Sequence, residues 1–182
     1  MSKHFLAPFL CVGVSFTVTA QVLIDESFNA SVLPANWSQA TLADDGGWIL
    51  GDNTMLQSAW WDIGAHGNFI ATNDDACDCD KSADYLILPT LDLADANAPI
   101  LSFASYFSEE PFQGNLEEAT IEYSVDAGET WTVLASIEGN GKTDETTWQN
   151  VNVNLSEIVG NTDVLIAFQY NDDGGWMFGW AI

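Results

Sequence analysis

A-T-I-E-Y-S-V-D-A-G-E-T-W-T-V-L-A-S-I, Ala119 to Ile137, sets two alternating runs on either side of Asp126-Ala127-Gly128. Ile121, Tyr123 and Val125 share one face of the first run, and Gly128 supplies the positive φ that a tight hairpin needs. Alternation with period two, closed by a glycine turn, reads as antiparallel β structure. The same alternation recurs at Leu101, Phe103 and Phe107, at Val151, Val153 and Leu155, and at Val164, Ile166, Phe168 and Tyr170. These faces are expected to build the core.

Working outward, short runs punctuated by Gly, Asn, Asp and Pro continue along the chain, while helical periodicity is hardly visible, so the expected fold is an all-β antiparallel sandwich. Strands are expected at Val22 to Phe28, Trp48 to Gly51, Asn68 to Thr72, Tyr85 to Leu88, Ile100 to Phe107, Ala119 to Val125, Thr130 to Ile137, Gln149 to Leu155, Val164 to Tyr170 and Met177 to Ile182. The first twenty residues stand apart. Lys3 and His4 precede an apolar run from Phe5 to Val18, and Val18-Thr19-Ala20 forms a small-residue cleavage site, the pattern of a secretory signal peptide. The run is too short to span a bilayer. About 160 residues remain, 21–182, enough for one domain with a real core. The expected location is therefore secreted, extracellular or at the cell surface.

Without the leader, Lys81 and Lys142 are the only basic side chains beside 27 acids, and the chain has no arginine. That balance excludes electrostatic binding of nucleic acid and disfavours anionic membrane surfaces, both of which rely on Lys and Arg. It suits cations as partners.

The acids concentrate in N-D-D-A-C-D-C-D-K-S-A-D-Y-L-I-L-P, Asn73 to Pro89, where five aspartates within eleven residues run into an apolar strand. Such a loop either spreads its charges into solvent or closes around a hard cation. An EF-hand does not fit, since counting from Asp78 finds no glycine at the sixth position and no closing glutamate. Cys77 and Cys79 are an even pair in an oxidising compartment, which reads as a disulfide that needs a bend between them. Zinc is the competing reading. It would require two more sulfur or nitrogen ligands, and only His66 remains.

Catalytic patterns are sparse. His66 in G-A-H-G stands without a nucleophile motif or a zinc-protease motif, and the chain is not expected to be an enzyme, although paired carboxylates of the glycosidase kind stay possible among so many acids. Adjacent Trp60 and Trp61, in S-A-W-W-D-I-G-A-H-G, fall in a loop-like stretch where exposed indoles could stack on a glycan; the competing reading makes at least one of them a lid on the sandwich. S-V-D-A-G-E-T-W, Ser124 to Trp131, has the spacing of the Asp-box of sialidases, a structural motif whose aspartate caps the turn. A sialidase also clamps its substrate with arginines, which are missing here.

Several pieces in order complete the reading: E-S-F at Glu26 to Phe28, P-A-N-W at Pro34 to Trp37, G-W at Gly47 and Trp48, and D-Y-L-I-L-P-T-L-D-L at Asp84 to Leu93. L-S-F at Leu101 to Phe103, the hairpin, W-Q-N-V-N-V-N-L-S at Trp148 to Ser156 and G-G-W-M-F-G-W-A-I at Gly174 to Ile182 follow. This series resembles the choice-of-anchor J or cleaved-adhesin domain of secreted bacterial surface proteins, related in fold to MAM domains and to gingipain adhesin domains. The resemblance implies a jelly-roll β-sandwich, export, and calcium bound for structure in many members. It also implies a chain that continues past Ile182, because members usually run on from that strand. The family places its E-S-F strand beside the metal, so calcium is expected between Glu26 and the acidic loop, with Asn73, Asp75, Asp78 and Asp80 as the other donors. The expected function is a calcium-stabilised interaction module with an adhesive or accessory role, its partner a cell-surface protein or glycan. A carbohydrate-binding module of a secreted enzyme and a non-catalytic domain of a secreted protease are the alternatives.

Overall fold

The computed structural model describes residues 21–30, 32–108, 110–142 and 144–182. The expected signal peptide, residues 1–20, lies outside the described residues. In chain order the elements are β1 (Ser38–Ala40), β2 (Ile49–Asp52), α1 (Asn53–Leu56), β3 (Asn68–Asn73), α2 (Asp74–Cys77), β4 (Asp84–Ile87) and β5 (Ile100–Phe107). Then come β6 (Glu118–Ser124), β7 (Thr132–Ser136), β8 (Gln149–Asn154), β9 (Leu165–Asn171) and β10 (Gly179–Ala181). Two five-stranded sheets result, in the orders β1-β4-β9-β6-β7 and β2-β3-β10-β5-β8, and every strand pair is antiparallel. The chain is an all-β sandwich. Among the described residues no helix is long and apolar enough to cross a membrane.

The hairpin between β6 and β7 forms for local reasons. Asp126 accepts from Ser124 Oγ at 2.7 Å and from Thr130 N at 2.9 Å, while Ala127 and Gly128 take left-handed φ values of 61° and 88°. Those hydrogen bonds from Thr130 and Ser124 hold the Asp126 carboxyl down at about 2. Trp131 lies against Tyr85 at 5.4 Å and ties the hairpin to β4.

Between the sheets, Leu86, Ile121, Ile166, Phe168 and Tyr170 of one face Ile70, Phe107, Val153 and Trp180 of the other in a single buried cluster. Trp180 is its hub, with ring centroids 5.5 Å from Trp48, 5.6 Å from Phe168 and 6.2 Å from Phe107. Its indole N–H donates to Ser105 Oγ at 2.9 Å, which answers the one polar group that so large a buried ring carries. A smaller cluster behind the second sheet gathers Leu56, Trp61, Ile63, Phe69, Ala71, Tyr106 and Ala181.

Three expectations differ from the structure. Val22 to Phe28 forms no strand, because Glu26 folds back to accept from the backbone N–H of Ser27 (2.9 Å) and Phe28 (2.6 Å), and Phe28 turns to φ 52°. A side chain that satisfies its own backbone competes with a ladder. Val125, counted with the core face, lies at the turn and is exposed. Ser38–Ala40, a strand with no apolar pattern, pairs at the sheet edge with β4.

Gly179 is the tightest backbone approach in the sandwich. A Cβ there would lie 2.2 Å from the Thr72 carbonyl oxygen, at φ 144°. Gly179→Ala is expected to lower the unfolding free energy by about 3 kcal/mol in urea denaturation, against about 1 kcal/mol for Gly160→Ala, which meets open space. Equal midpoint shifts for the two variants would contradict this packing.

Candidate functional site

The acidic loop begins where β3 ends. Asn73 caps α2, its Oδ1 accepting from Ala76 N at 2.9 Å while its Nδ2 donates to Leu56 O at 2.6 Å. After one helical turn, Asp78 adopts the left-handed conformation (φ 48°, ψ 49°) and its N–H donates to Asp74 O at 2.7 Å. That reversal is the bend between the two cysteines: Cys77 and Cys79 are joined in a disulfide with their Cα atoms 5.1 Å apart. Asp80 turns to its own neighbour, accepting from Ser82 N and Oγ, and these bonds hold its carboxyl below the usual range.

The chain then drives Lys81 into the interior. Its side chain is fully buried, with Nζ 2.9 Å from both oxygens of Asp45 and 3.3 Å from Asp84 Oδ2, while its backbone N–H donates to Asp172 Oδ2 at 3.0 Å. Asp84, also fully buried, accepts from Thr72 Oγ1 at 2.6 Å and from Thr41 Oγ1. The ammonium thus joins the acidic loop to the loop before β2 and the start of β4, and the Lys81 backbone N–H adds the loop after β9. Sequence reasoning missed it. The available signal was a lysine set among five aspartates in a chain with almost no other cation.

Behind Lys81 sits a second acid. Asp74 is fully buried, and its Oδ2 accepts from Met177 N at 2.5 Å, but its Oδ1 has no hydrogen-bond partner. Burial pushes the Asp74 carboxyl up to about 7; the Met177 N–H pulls the other way, and the neighbouring charges of Asp172 and Asp78 add to the rise. One buried carboxylate oxygen is thus left unanswered. Such a group costs free energy until a proton or a cation meets it.

The five expected calcium donors are not gathered. Glu26 is bound to its own backbone and lines a different cavity of about 630 Å³ with Leu88, Leu93, Phe168 and Ile182. Asp75 Oδ2 accepts from Trp60 N at 2.8 Å, and Asn73 is occupied as a cap. Among the described residues, the one group of three or more Asp, Glu, His or Cys donors with ligand atoms within 4.8 Å of one another is Asp45, Cys77 and Cys79. Its two sulfurs are already joined.

The paired tryptophans part company. Trp61 is 0% exposed and packs on Tyr106 at 6.3 Å, so it is no glycan contact; Trp60, beside it, is 68% exposed. The bend at Ala59 and Trp60 turns one ring to the core and leaves the other in water. Trp60 lines a cleft of about 310 Å³ with Asp75, Phe112, Trp176, Met177 and Phe178. Phe112 and Trp176 meet edge to face at 5.9 Å and 87°. The Trp176 indole donates to Asp75 O at 3.4 Å, and the N–H groups of Asp74 and Asp75 both donate to Phe178 O, at 2.9 and 3.2 Å. His66, the candidate base, stacks on Trp148 at 4.3 Å.

No protein-family model and no curated protein matches the chain. The site is therefore read from its own geometry.

Two variants test that geometry. Lys81→Met leaves Asp45 and Asp84 without their counter-charge and is expected to destabilise the fold by about 3 kcal/mol or more in chemical denaturation, with Asp84→Asn in the same chain recovering part of the loss. A Lys81→Met protein as stable as wild type would show that the buried ammonium is misplaced. The other variant concerns Glu117, buried and accepting from Tyr170 Oη (2.7 Å), Gly179 N (2.9 Å) and Ser108 Oγ (3.0 Å). Burial raises its carboxyl from 4.5 to about 7. The folded protein therefore holds this proton more tightly than the unfolded chain. The stability it lends is complete below pH 4.5 and is lost as pH rises through 7, a swing of about 3 kcal/mol. Glu117→Gln is expected to match wild type in thermal melts at pH 5 and to exceed it at pH 8; parallel pH profiles would contradict the assignment.

Proposed function

We propose that the chain is a secreted, calcium-stabilised interaction module with an adhesive or accessory role at the cell surface and no catalysis of its own. The carrying observation is the buried, unpartnered Oδ1 of Asp74, which the negative charges of Asp172 and Asp78 also reach. A set made only of hard oxygens suits calcium, which takes six to eight of them and tolerates irregular geometry, better than magnesium or zinc. In this reading Asp74 Oδ1 anchors the ion, the charges of Asp172 and Asp78 draw it in, and backbone carbonyls and water complete the shell. The ion would supply a fixed positive charge. The protein's own residues do the rest: Lys81 neutralises Asp45 and Asp84, Asn73 starts α2, and the disulfide closes the loop behind it.

A binding role has its own support in the aromatic cleft on the other side of α2. Export and the jelly-roll connectivity belong to the same proposal, the former from the leader pattern and the latter from the family resemblance.

The carbohydrate-binding alternative keeps the exposed Trp60 but loses Trp61.

Thermal melts test the calcium site. With a dissociation constant on the order of 10⁻⁴ to 10⁻³ M, calcium at ten times that value is expected to add about 1.4 kcal/mol and raise the Tm by about 3–6 °C. Magnesium should do less. Asp74→Asn is expected to abolish the calcium response while Asp80→Ala keeps it. Equal effects of the two ions on wild type, with Asp74→Asn responding like wild type, would remove the site.

A further inference from the structure

We propose that the cleft between Trp60, Phe112 and Trp176 is a binding site for a quaternary ammonium group of the choline type. Three observations carry it. The walls are aromatic, and Phe112 stands perpendicular to Trp176, at 87°, so the rings form a corner rather than a flat bench. The π faces left open along such walls attract a compact cation through their ring quadrupoles.

Charge gives the second observation. The formal net charge is −24, and because Lys81 is buried, Lys142 is the only Lys or Arg side chain outside the interior among the described residues. The field at the cleft is therefore that of carboxylates, with Asp75 in its wall. A cation is concentrated there and an anion repelled.

Hydrogen bonding gives the third. Asp75 Oδ2 is engaged by Trp60 N, Asp75 O by the Trp176 indole, and Phe178 O by the N–H groups of Asp74 and Asp75. A sugar, with hydroxyls all round, would bury more polar groups than these few oxygens can answer. A trimethylammonium group has no hydrogen-bond donor to satisfy. The ligand is thus a small choline-type cation without an attached phosphate, whose negative charge this surface would oppose.

The inference deepens the interaction-module reading and rests on it for its biological sense. The two are nevertheless tested apart, since the calcium melts report on Asp74 and ligand binding reports on the cleft. Choline chloride would be titrated into the calcium-loaded domain by calorimetry and tryptophan fluorescence, beside 3,3-dimethylbutan-1-ol, its neutral isostere, with phosphocholine and glucose as further arms. Saturable choline binding is expected, about ten-fold weaker for the isostere and weaker for phosphocholine, and declining as salt is raised. Trp60→Ala and Trp176→Ala are each expected to reduce choline affinity about ten-fold, with Trp176→Phe retaining part of it. Trp60 is exposed, so its variant should keep the calcium-dependent melt and serve as the folded control. Equal binding of choline and its neutral isostere would make the cleft merely apolar. Tighter binding of phosphocholine, or saturable binding of glucose in place of choline, would also overturn the proposal. Failure of choline to bind a domain that still responds to calcium would remove this inference and leave the module reading standing.

Discussion

The contact between Lys81 and the carboxylates of Asp45 and Asp84 is the constraint on which this structure turns. A chain so rich in acid has very few cations to place, and it sets one of them where no solvent reaches. Buried ion pairs seldom add stability over a well-packed apolar replacement, but removing one partner from such a pair is costly. Their value lies in geometry. Here the ammonium gathers loops from both sheets, and Asp84, held by Lys81, also fixes Thr41 and Thr72. Without that centre the carboxylates around the loop would repel one another apart.

The single turn of α2 then connects inside to outside. Asp74 is buried and accepts from Met177 N, whereas the next residue, Asp75, holds Trp60 and Trp176 at the surface. Met177 and Phe178 belong to both neighbourhoods, since they contact α2 through hydrogen bonds and also line the cleft. Whatever sets the charge at Asp74 therefore bears on the position of the aromatic wall. Asn73 at one end and the Asp78 reversal with its disulfide at the other fasten the turn.

Much of the sandwich could be read from the chain because its central strands alternate cleanly and its hairpin carries a glycine turn. β5 falls on Ile100–Phe107 as expected, and most of the other expected strands lie within two residues of their observed ends. The last is shorter, as Gly179–Ala181, because the Asp74 carboxylate and the Phe178 carbonyl engage the chain just before it. Where alternation was absent or misleading, the reading failed for local causes. Glu26 turned a strand-like segment on itself, and Ser38–Ala40 pairs without any apolar pattern to announce it. The candidate site was harder. Closeness in sequence suggested that Asp75, Asp78 and Asp80 act together, yet the left-handed turn at Asp78 and the Ser82 bonds to Asp80 direct those carboxylates apart. The buried contact that did form ties Lys81, in the acidic loop, to Asp172, and no local pattern encodes a contact 91 residues long. Trp60 and Trp61 could not be told apart by composition, only by which side of the backbone meets Tyr106.

A crystal structure of residues 21–182 grown in calcium tests the arrangement most directly. It should show one ion about 2.3–2.6 Å from Asp74 Oδ1, with backbone carbonyls and water filling its shell and Lys81 Nζ still seated between Asp45 and Asp84. An ion held instead by Asp80 or Glu26, or a Lys81 side chain extended into solvent, would contradict it.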